Sequence, residues 1–388
     1  FLHTGQNSGV SLMRIRQSCT PWETVNSFNV GFDVSAFNNR LQVVFDWFKR
    51  KTTGMLSEGI EIPSVVGAGA PLQNIADLSS KGWEINLSWR DRIGNFSYNI
   101  GFNIYDSRAF IDKFNNESGF VDSNYVGKEL GEYWGYVSDG YYTIDDFVLE
   151  DAQKGVWTLK DNVVSIQGVV PQPGDEKFKD LDGDNIISPA SSTLSDSGDR
   201  KVIGSKTPRY QFGANIGVGY KGLSLDVRLQ GVGKRDYVLG GAALFPFAGS
   251  SASDAVFQPL FYNQTDYWSA VSYDPNDPDF MKAKNPNAKL FRIYDQGNNV
   301  TSNTRASDKY IQNAAYLRVK NITLAYSFPK NWVQKAFMKD AKIYLSIENP
   351  FTFSSLPKGY DPEGNEYNEI VWNYPYYRTI SLGANITF

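Results

Sequence analysis

The chain has 388 residues, 38 Lys+Arg against 42 Asp+Glu, one cysteine (Cys19) and one histidine (His3). That balance lacks the basic excess of a nucleic-acid binder, and it leaves no basis for a disulfide framework, a cysteine-ligated metal or a histidine-based catalytic pair. No run of about 18 apolar residues is present, so a transmembrane helix is excluded, whereas membrane-crossing strands are not, because every second residue of a barrel strand faces the lumen.

Nine segments alternate apolar and polar side chains with the period of a strand. Phe28, Val30, Phe32 and Val34 alternate with Asn29, Gly31, Asp33 and Ser35, and after Asn38-Asn39 come Leu41, Val43, Phe45 and Trp47. Trp83, Ile85, Leu87 and Trp89 follow, then a turn at 91–95, then Phe96, Tyr98, Ile100, Phe102 and Ile104. Tyr210 to Tyr220 repeats the scheme, turns at Lys221-Gly222 and continues through Leu223, Leu225, Val227 and Leu229. A strand from Tyr316 changes phase near Lys320-Asn321, which predicts a bulge, and runs on through Ile322, Leu324, Tyr326 and Phe328. Ile343, Leu345 and Ile347 form the eighth strand. The ninth is Tyr377 to Phe388, with Ile380, Leu382, Ala384, Ile386 and Phe388 on one side.

The connections alternate in length. Short ones fall at 37–40, 91–95, 220–222 and 329–340, and long ones at about 53–80, 106–208, 235–313 and 350–375. Short periplasmic turns and long extracellular loops are the pattern of an outer-membrane barrel. The expected fold is therefore an all-β, antiparallel transmembrane β-barrel. Closing nine strands would set two parallel strands edge to edge. We therefore expect missing strands on the N-terminal side and read the chain as the C-terminal portion of a larger barrel. The alternative is a soluble β-sandwich carbohydrate-binding module, with the apolar faces packed on each other.

Candidate sites lie in the long loops. Asp180-Leu181-Asp182-Gly183-Asp184-Asn185-Ile186 places carboxylates at positions one, three and five of a calcium loop, with the Ile186 carbonyl at position seven. Position twelve is Ser191, not Glu, so Asp196 or Asp199 is expected to complete the shell of a structural Ca2+; a plain acidic turn is the competing reading. Aromatic side chains at Tyr133, Trp134, Tyr136, Tyr141, Tyr142, Tyr267, Trp268, Trp372 and Tyr374 suit sugar rings, peptide bonds or a docked protein. Each alone fits loop packing equally well. Trp47, Trp83, Trp89, Phe96 and Phe388 read as girdle residues at the membrane interfaces. Asp33, Asp46, Glu84, Arg90, Asp226 and Arg228 face the polar side, as a hydrated wall would require. No nucleophile motif is evident, so no catalytic residue and no organic cofactor are expected.

Several stretches, in order, resemble one family: Thr20-Pro21-Trp22-Glu23, Asp46-Trp47-Phe48-Lys49-Arg50, Ser80-Lys81-Gly82-Trp83-Glu84, the Asp180–Asp184 loop, Asp199-Arg200-Lys201-Val202-Ile203-Gly204, Thr207-Pro208-Arg209-Tyr210, Tyr316–Leu324, Glu348-Asn349-Pro350-Phe351 and Gly359-Tyr360-Asp361-Pro362-Glu363. They look like the C-terminal part of a SusC/RagA-family TonB-dependent outer-membrane transporter of Bacteroidota. The resemblance implies a barrel of about 22 strands, a plug domain absent from this chain, a TonB-contacting segment and a SusD-like lipoprotein partner. It also implies oligosaccharide or peptide uptake across the outer membrane.

Overall fold

In a computed structural model the described residues are 21–58, 72–151, 156–238, 244–245, 262–294, 298–364 and 376–388. Nine antiparallel strands form one sheet in chain order: β1 (Thr24–Ala36), β2 (Leu41–Glu58), β3 (Leu72–Ile93), β4 (Phe96–Lys113), β5 (Arg209–Tyr220), β6 (Leu223–Lys234), β7 (Tyr316–Ser327), β8 (Asp340–Ser354) and β9 (Thr379–Thr387). The order ends on β1 and β9, which do not pair with each other. Each predicted strand is present. The second, third, fourth and eighth run further into the long connections than their alternation indicated, so residues 53–58, 72–80, 106–113 and 350–354 are strand rather than loop.

Turn chemistry fixes the short links. Between β1 and β2, Phe37, Asn38 and Asn39 all take the left-handed conformation, at φ 54°, 56° and 64°. Between β5 and β6, Lys221 and Gly222 both have positive φ, 47° and 89°, as a type I′ hairpin needs.

The register keeps the two faces separate across the sheet. Ile100, Ile216, Val227, Ile322, Ile347 and Ile380 lie side by side from β4 to β9. One residue along, Asn99, Gly217, Asp226, Thr323, Ser346 and Ser381 form the matching polar row. The expected bulge is there. Arg228 pairs with Asn321 while Leu229 pairs with Val319, leaving Lys320 as the extra residue. On the other side Asn349 and Pro350 fall outside the ladder, which suits a proline with no N–H to donate.

The apolar face is bare. Phe28, Ile380 and Leu382 are 61%, 67% and 83% exposed. In a β-sandwich these side chains would be covered by a second sheet, so the sandwich alternative does not describe this chain. The buried cores lie instead in the loops. One gathers Tyr141, Tyr237, Trp268, Leu290, Phe291 and Tyr310. Another gathers Tyr136, Tyr142, Phe147, Ile166, Phe178 and Ile187. Among the described residues no helix is long and apolar enough to cross a membrane.

Candidate functional site

The polar face carries the wall side of the site. Asn99, Asn103, Asn215, Asp226 and Arg228 line a shallow groove of about 490 Å3. Glycines let these side chains lie flat on the sheet. A Cβ at Gly101 would come within 2.1 Å of Asn215 Oδ1, and one at Gly217 within 2.3 Å of Asn99 Oδ1. Asp46 and Glu84 stand opposite each other in the register and next to Gly31. Asp33 is paired in register with Val44, and Arg90 with Asn99.

Aromatics band the apolar face at two levels. Near the short turns, the Phe37 and Trp89 rings lie 5.8 Å apart and Trp89 Nε1 donates to Tyr98 Oη at 3.3 Å. Phe96 lies 5.8 Å from Tyr98, and Tyr326 packs edge-on to Phe328 at 5.2 Å. Trp47 and Trp83 pair in register six residues further along β2, about 20 Å up the strand. Phe388, beyond β9, is exposed.

Two ionic clamps stand where the loop layer meets the wall. Arg209, of the Thr207-Pro208-Arg209-Tyr210 stretch, donates through Nε and Nη2 to the two oxygens of Asp106 in β4, at 2.5 Å each. Arg108 meets Glu129 in the same two-pronged way. The second clamp is Arg318 in β7, which is 1% exposed. Its Nη2 meets Asp361 Oδ2 at 2.5 Å, its Nη1 lies 3.1 Å from Glu363 Oε1, and its Nε donates to Thr352 Oγ1 at 2.9 Å. Lys320 adds a second cation on Glu363 at 3.0 Å, and the Tyr376 ring lies 4.6 Å from the guanidinium. The Tyr237 hydroxyl donates to the Pro362 carbonyl at 3.0 Å. Two of the resemblance-bearing stretches, Tyr316–Leu324 and Gly359–Glu363, are therefore bonded to each other.

The acidic loop is wound on itself. Asp180 accepts from the Gly183 N–H at 2.6 Å and the Asn185 N–H at 2.9 Å, and these bonds hold its carboxyl below the usual range. Asn185 takes the turn at φ 63°. For Asp182 the Asp184 N–H lowers the pKa, but desolvation and the charges of Asp199, Asp184 and Asp180 outweigh it and leave the carboxyl raised. Asp180, Asp182 and Asp199 place one oxygen each within 4.8 Å of one another. Of the two expected completing residues the structure brings in Asp199, which is fully buried and accepts from the Leu181 and Ser188 N–H groups at 2.7 and 2.8 Å. Asp196 turns away to Ser191. Asp184 accepts from the Ile186 N–H at 2.7 Å, and Ile186 opens a two-residue strand beside Ser165–Ile166.

The loop aromatics divide. Tyr136, Tyr141, Tyr142 and Trp268 are buried in the two loop cores. Tyr133, Trp134 and Tyr267 are partly exposed, and Trp134 Nε1 donates to Tyr125 Oη at 3.1 Å. Trp372 and Tyr374 lie outside the described residues.

One polar cluster carries no sequence signal. Glu176 is fully buried between two loops 130 residues apart. Ser307 Oγ donates to its Oε1 at 2.9 Å, and its own N–H donates to Asn303 Oδ1 at 2.6 Å. Asn303 Nδ2 donates in turn to Asp175 Oδ1 at 2.8 Å. Burial pushes the Glu176 carboxyl up to about 7, against the pull of the nearby Lys309 charge and the Ser307 hydroxyl. The Lys309 ammonium sits 3.5 Å from the centre of the Tyr141 ring, and burial lowers its pKa.

Comparison with known proteins assigns the class. No family model matches the chain. TonB-dependent receptor P3 of Formosa agariphila is 27% identical over 411 residues, covering 99% of this chain and 36% of that protein. TonB-dependent receptor SusC of Bacteroides thetaiotaomicron is 23% identical over 385 residues, covering 95% of this chain and 32% of its own length. A chain of the RagAB peptide transporter superposes with a TM-score of 0.61 at 21% identity, over 95% of this chain and 36% of that chain. The class these likenesses and the sheet define is a portion of an antiparallel transmembrane barrel, similar to TonB-dependent receptors. Within that class the likeness extends to SusC and, in fold, to RagAB, as the sequence stretches implied. The chain spans about a third of the length of the curated relatives it matches.

Proposed function

We propose that this chain forms wall and external loops of an outer-membrane, TonB-dependent importer of the SusC kind. The observation that carries this reading is the nine-stranded sheet with a bare apolar face, an opposite polar face and long connections all at one end. Exposed backbone edges in hydrocarbon cost several kcal/mol per unsatisfied group, so the edges of β1 and β9, which pair with no further strand among the described residues, call for more strands to close the ring. A plug and a TonB-contacting segment belong to the same assembly. A SusD-like surface lipoprotein would dock on the loop layer, where Tyr133, Trp134 and Tyr267 are the partly accessible ones among the expected aromatics and Tyr262 and Tyr273 are more exposed still, and where Trp372 and Tyr374 belong by sequence. The cargo would be an oligosaccharide or peptide. The role is transport rather than catalysis, in the outer membrane of a Bacteroidota-like cell.

Fractionation and uptake test this together. The intact protein should sediment with outer membranes and require detergent for release, and its loss should abolish uptake of a labelled oligosaccharide or peptide. Recovery from the soluble fraction, or unchanged uptake of both cargo classes, would contradict the reading.

The loop Asp180–Ile186 supports a second, local reading, a structural Ca2+ held by Asp180, Asp182 and Asp199, with Asp184 and the Ile186 carbonyl as further oxygens. Hard oxygen donors on a tight turn are the chemistry such an ion takes. The ion would brace the loop and take no part in transport.

A further inference from the structure

We propose that the pocket beneath the short helix Lys330–Lys335 binds an acyl chain of an anionic phospholipid, with the lysines around it holding the headgroup. The inference rests on the membrane reading above. The connection between β7 and β8 is longer than the other short links, and it folds into this helix rather than a hairpin. It is pinned at both ends, by the Phe328 N–H to the Ala341 carbonyl at 2.9 Å and the Lys339 N–H to the Thr387 carbonyl at 2.7 Å. Val333, 3% exposed, anchors the helix. Beside it lies an apolar pocket of about 300 Å3, whose lining includes Trp332, Met338, Ile343, Ala384 and Ile386. Ile343 and Ala384 are register neighbours of Tyr326 on the apolar face, so the pocket opens on the side that faces hydrocarbon.

Three features select a lipid with a negative headgroup. Lys330 and Lys335 belong to the helix over the pocket and Lys339 follows it, against one neighbouring carboxylate, Asp340, and none of the three lysines has an ion-pair partner among the described residues. Trp332 and Phe337 are 63% and 92% exposed, placed as interfacial anchors are. Phe337 also holds φ at 58°, a left-handed conformation that is costly for a bulky side chain. A fold that keeps this aromatic outward at such a cost gains from its contact with a medium. The short-turn end is the periplasmic end, where the inner leaflet supplies phospholipid headgroups within reach of basic side chains.

The test uses the intact transporter, extracted with its accompanying chains and placed in nanodiscs. The discs contain phosphatidylglycerol, or phosphatidylcholine, bearing the same photoreactive acyl chain, and labelled peptides are located by mass spectrometry. Peptides covering 328–343 and 380–387 should be labelled at least about fivefold more by the anionic lipid, a factor of the size one or two surface lysines supply. The triple variant Lys330→Gln/Lys335→Gln/Lys339→Gln should fall to the phosphatidylcholine level, and Ala384→Phe, which fills the pocket, should lose the label with either lipid. Wall peptides around Ile100 and Ile216 should be labelled equally throughout. Equal labelling of the pocket by both lipids, or labelling unchanged in the variants while the wall remains labelled, overturns the proposal. A protein crosslinked there in place of lipid does so too. Loss of all labelling, wall included, overturns the membrane reading along with it.

Discussion

Arg318 and Asp361 meet at 2.5 Å across 43 residues of chain, the arginine buried in the wall and the aspartate on the returning loop. The pair converts two sequence stretches into one clamp. Removing one partner of a buried charge pair leaves the other unpaired and costs about 3 kcal/mol. Arg318→Met should therefore release residues 357–364, read as a gain in amide hydrogen exchange and protease cleavage there with the wall strands unchanged. Unaltered protection of that segment would show that the clamp does not hold the loop.

The Glu176 carboxyl gives a pH dependence. Its pKa is raised from 4.5 to about 7. A raised folded-state pKa means that the stabilisation is full below the unfolded value and is lost as pH rises through the folded one. The loop junction around 172–178 and 303–310 should thus loosen as pH rises from about 4.5 to about 7 and change little above that. Glu176→Gln, which can still accept from Ser307, should flatten that profile. A wild-type protection that rises with pH over this range would reverse the sign and defeat the argument.

Calcium at millimolar concentration should protect the segment 178–200 from proteolysis, and a chelator should remove that protection. Asp182→Asn is the variant of choice, because Asp182 is exposed and serves no buried bond, whereas Asp199 also carries the loop's own hydrogen bonds. Equal protection of wild type and Asp182→Asn in calcium would count against the ion site.

The two faces can be tested by neighbouring residues in one strand. Ile216→Lys puts a charge on the apolar face and should cost about 2–4 kcal/mol at mid-membrane depth, lowering the folded, heat-modifiable fraction in the outer membrane. Asn215→Lys, one residue away on the polar face, should assemble normally. Equal loss in both would mean that the faces are not distinguished by lipid and water.

The wall was legible from alternation because its two sides meet different media, and even the Lys320 bulge shows as a break in phase. Strand ends were less so. Lys49 to Thr52 and Leu78 to Ser80 are paired in the structure, yet they carry no clean apolar period. Beyond the hydrocarbon both faces meet water, and nothing selects the alternation there. Asp199 could be named beside Asp196, but only the fold of the Ser-rich insertion decides between them. Glu176 and Lys309 were invisible, since a contact spanning more than 130 residues leaves no local pattern. The loop aromatics were ambiguous for a simpler reason: a loop core and a sugar platform draw on the same side chains.

The extra residue at Lys320 does more than bend a strand. On its far side the chain's parity is reversed, so Arg318 shares a face with Gln230, while Leu317 and Val319 look outward. Were Lys320 drawn into the ladder as an ordinary paired residue, the guanidinium would turn toward lipid and two aliphatic chains toward water, and the loop would lose its anchor with no residue changed. The outer rim is thus indexed to the wall by one unpaired residue, and the same sequence threaded without that bulge would present the wrong side chains to each medium.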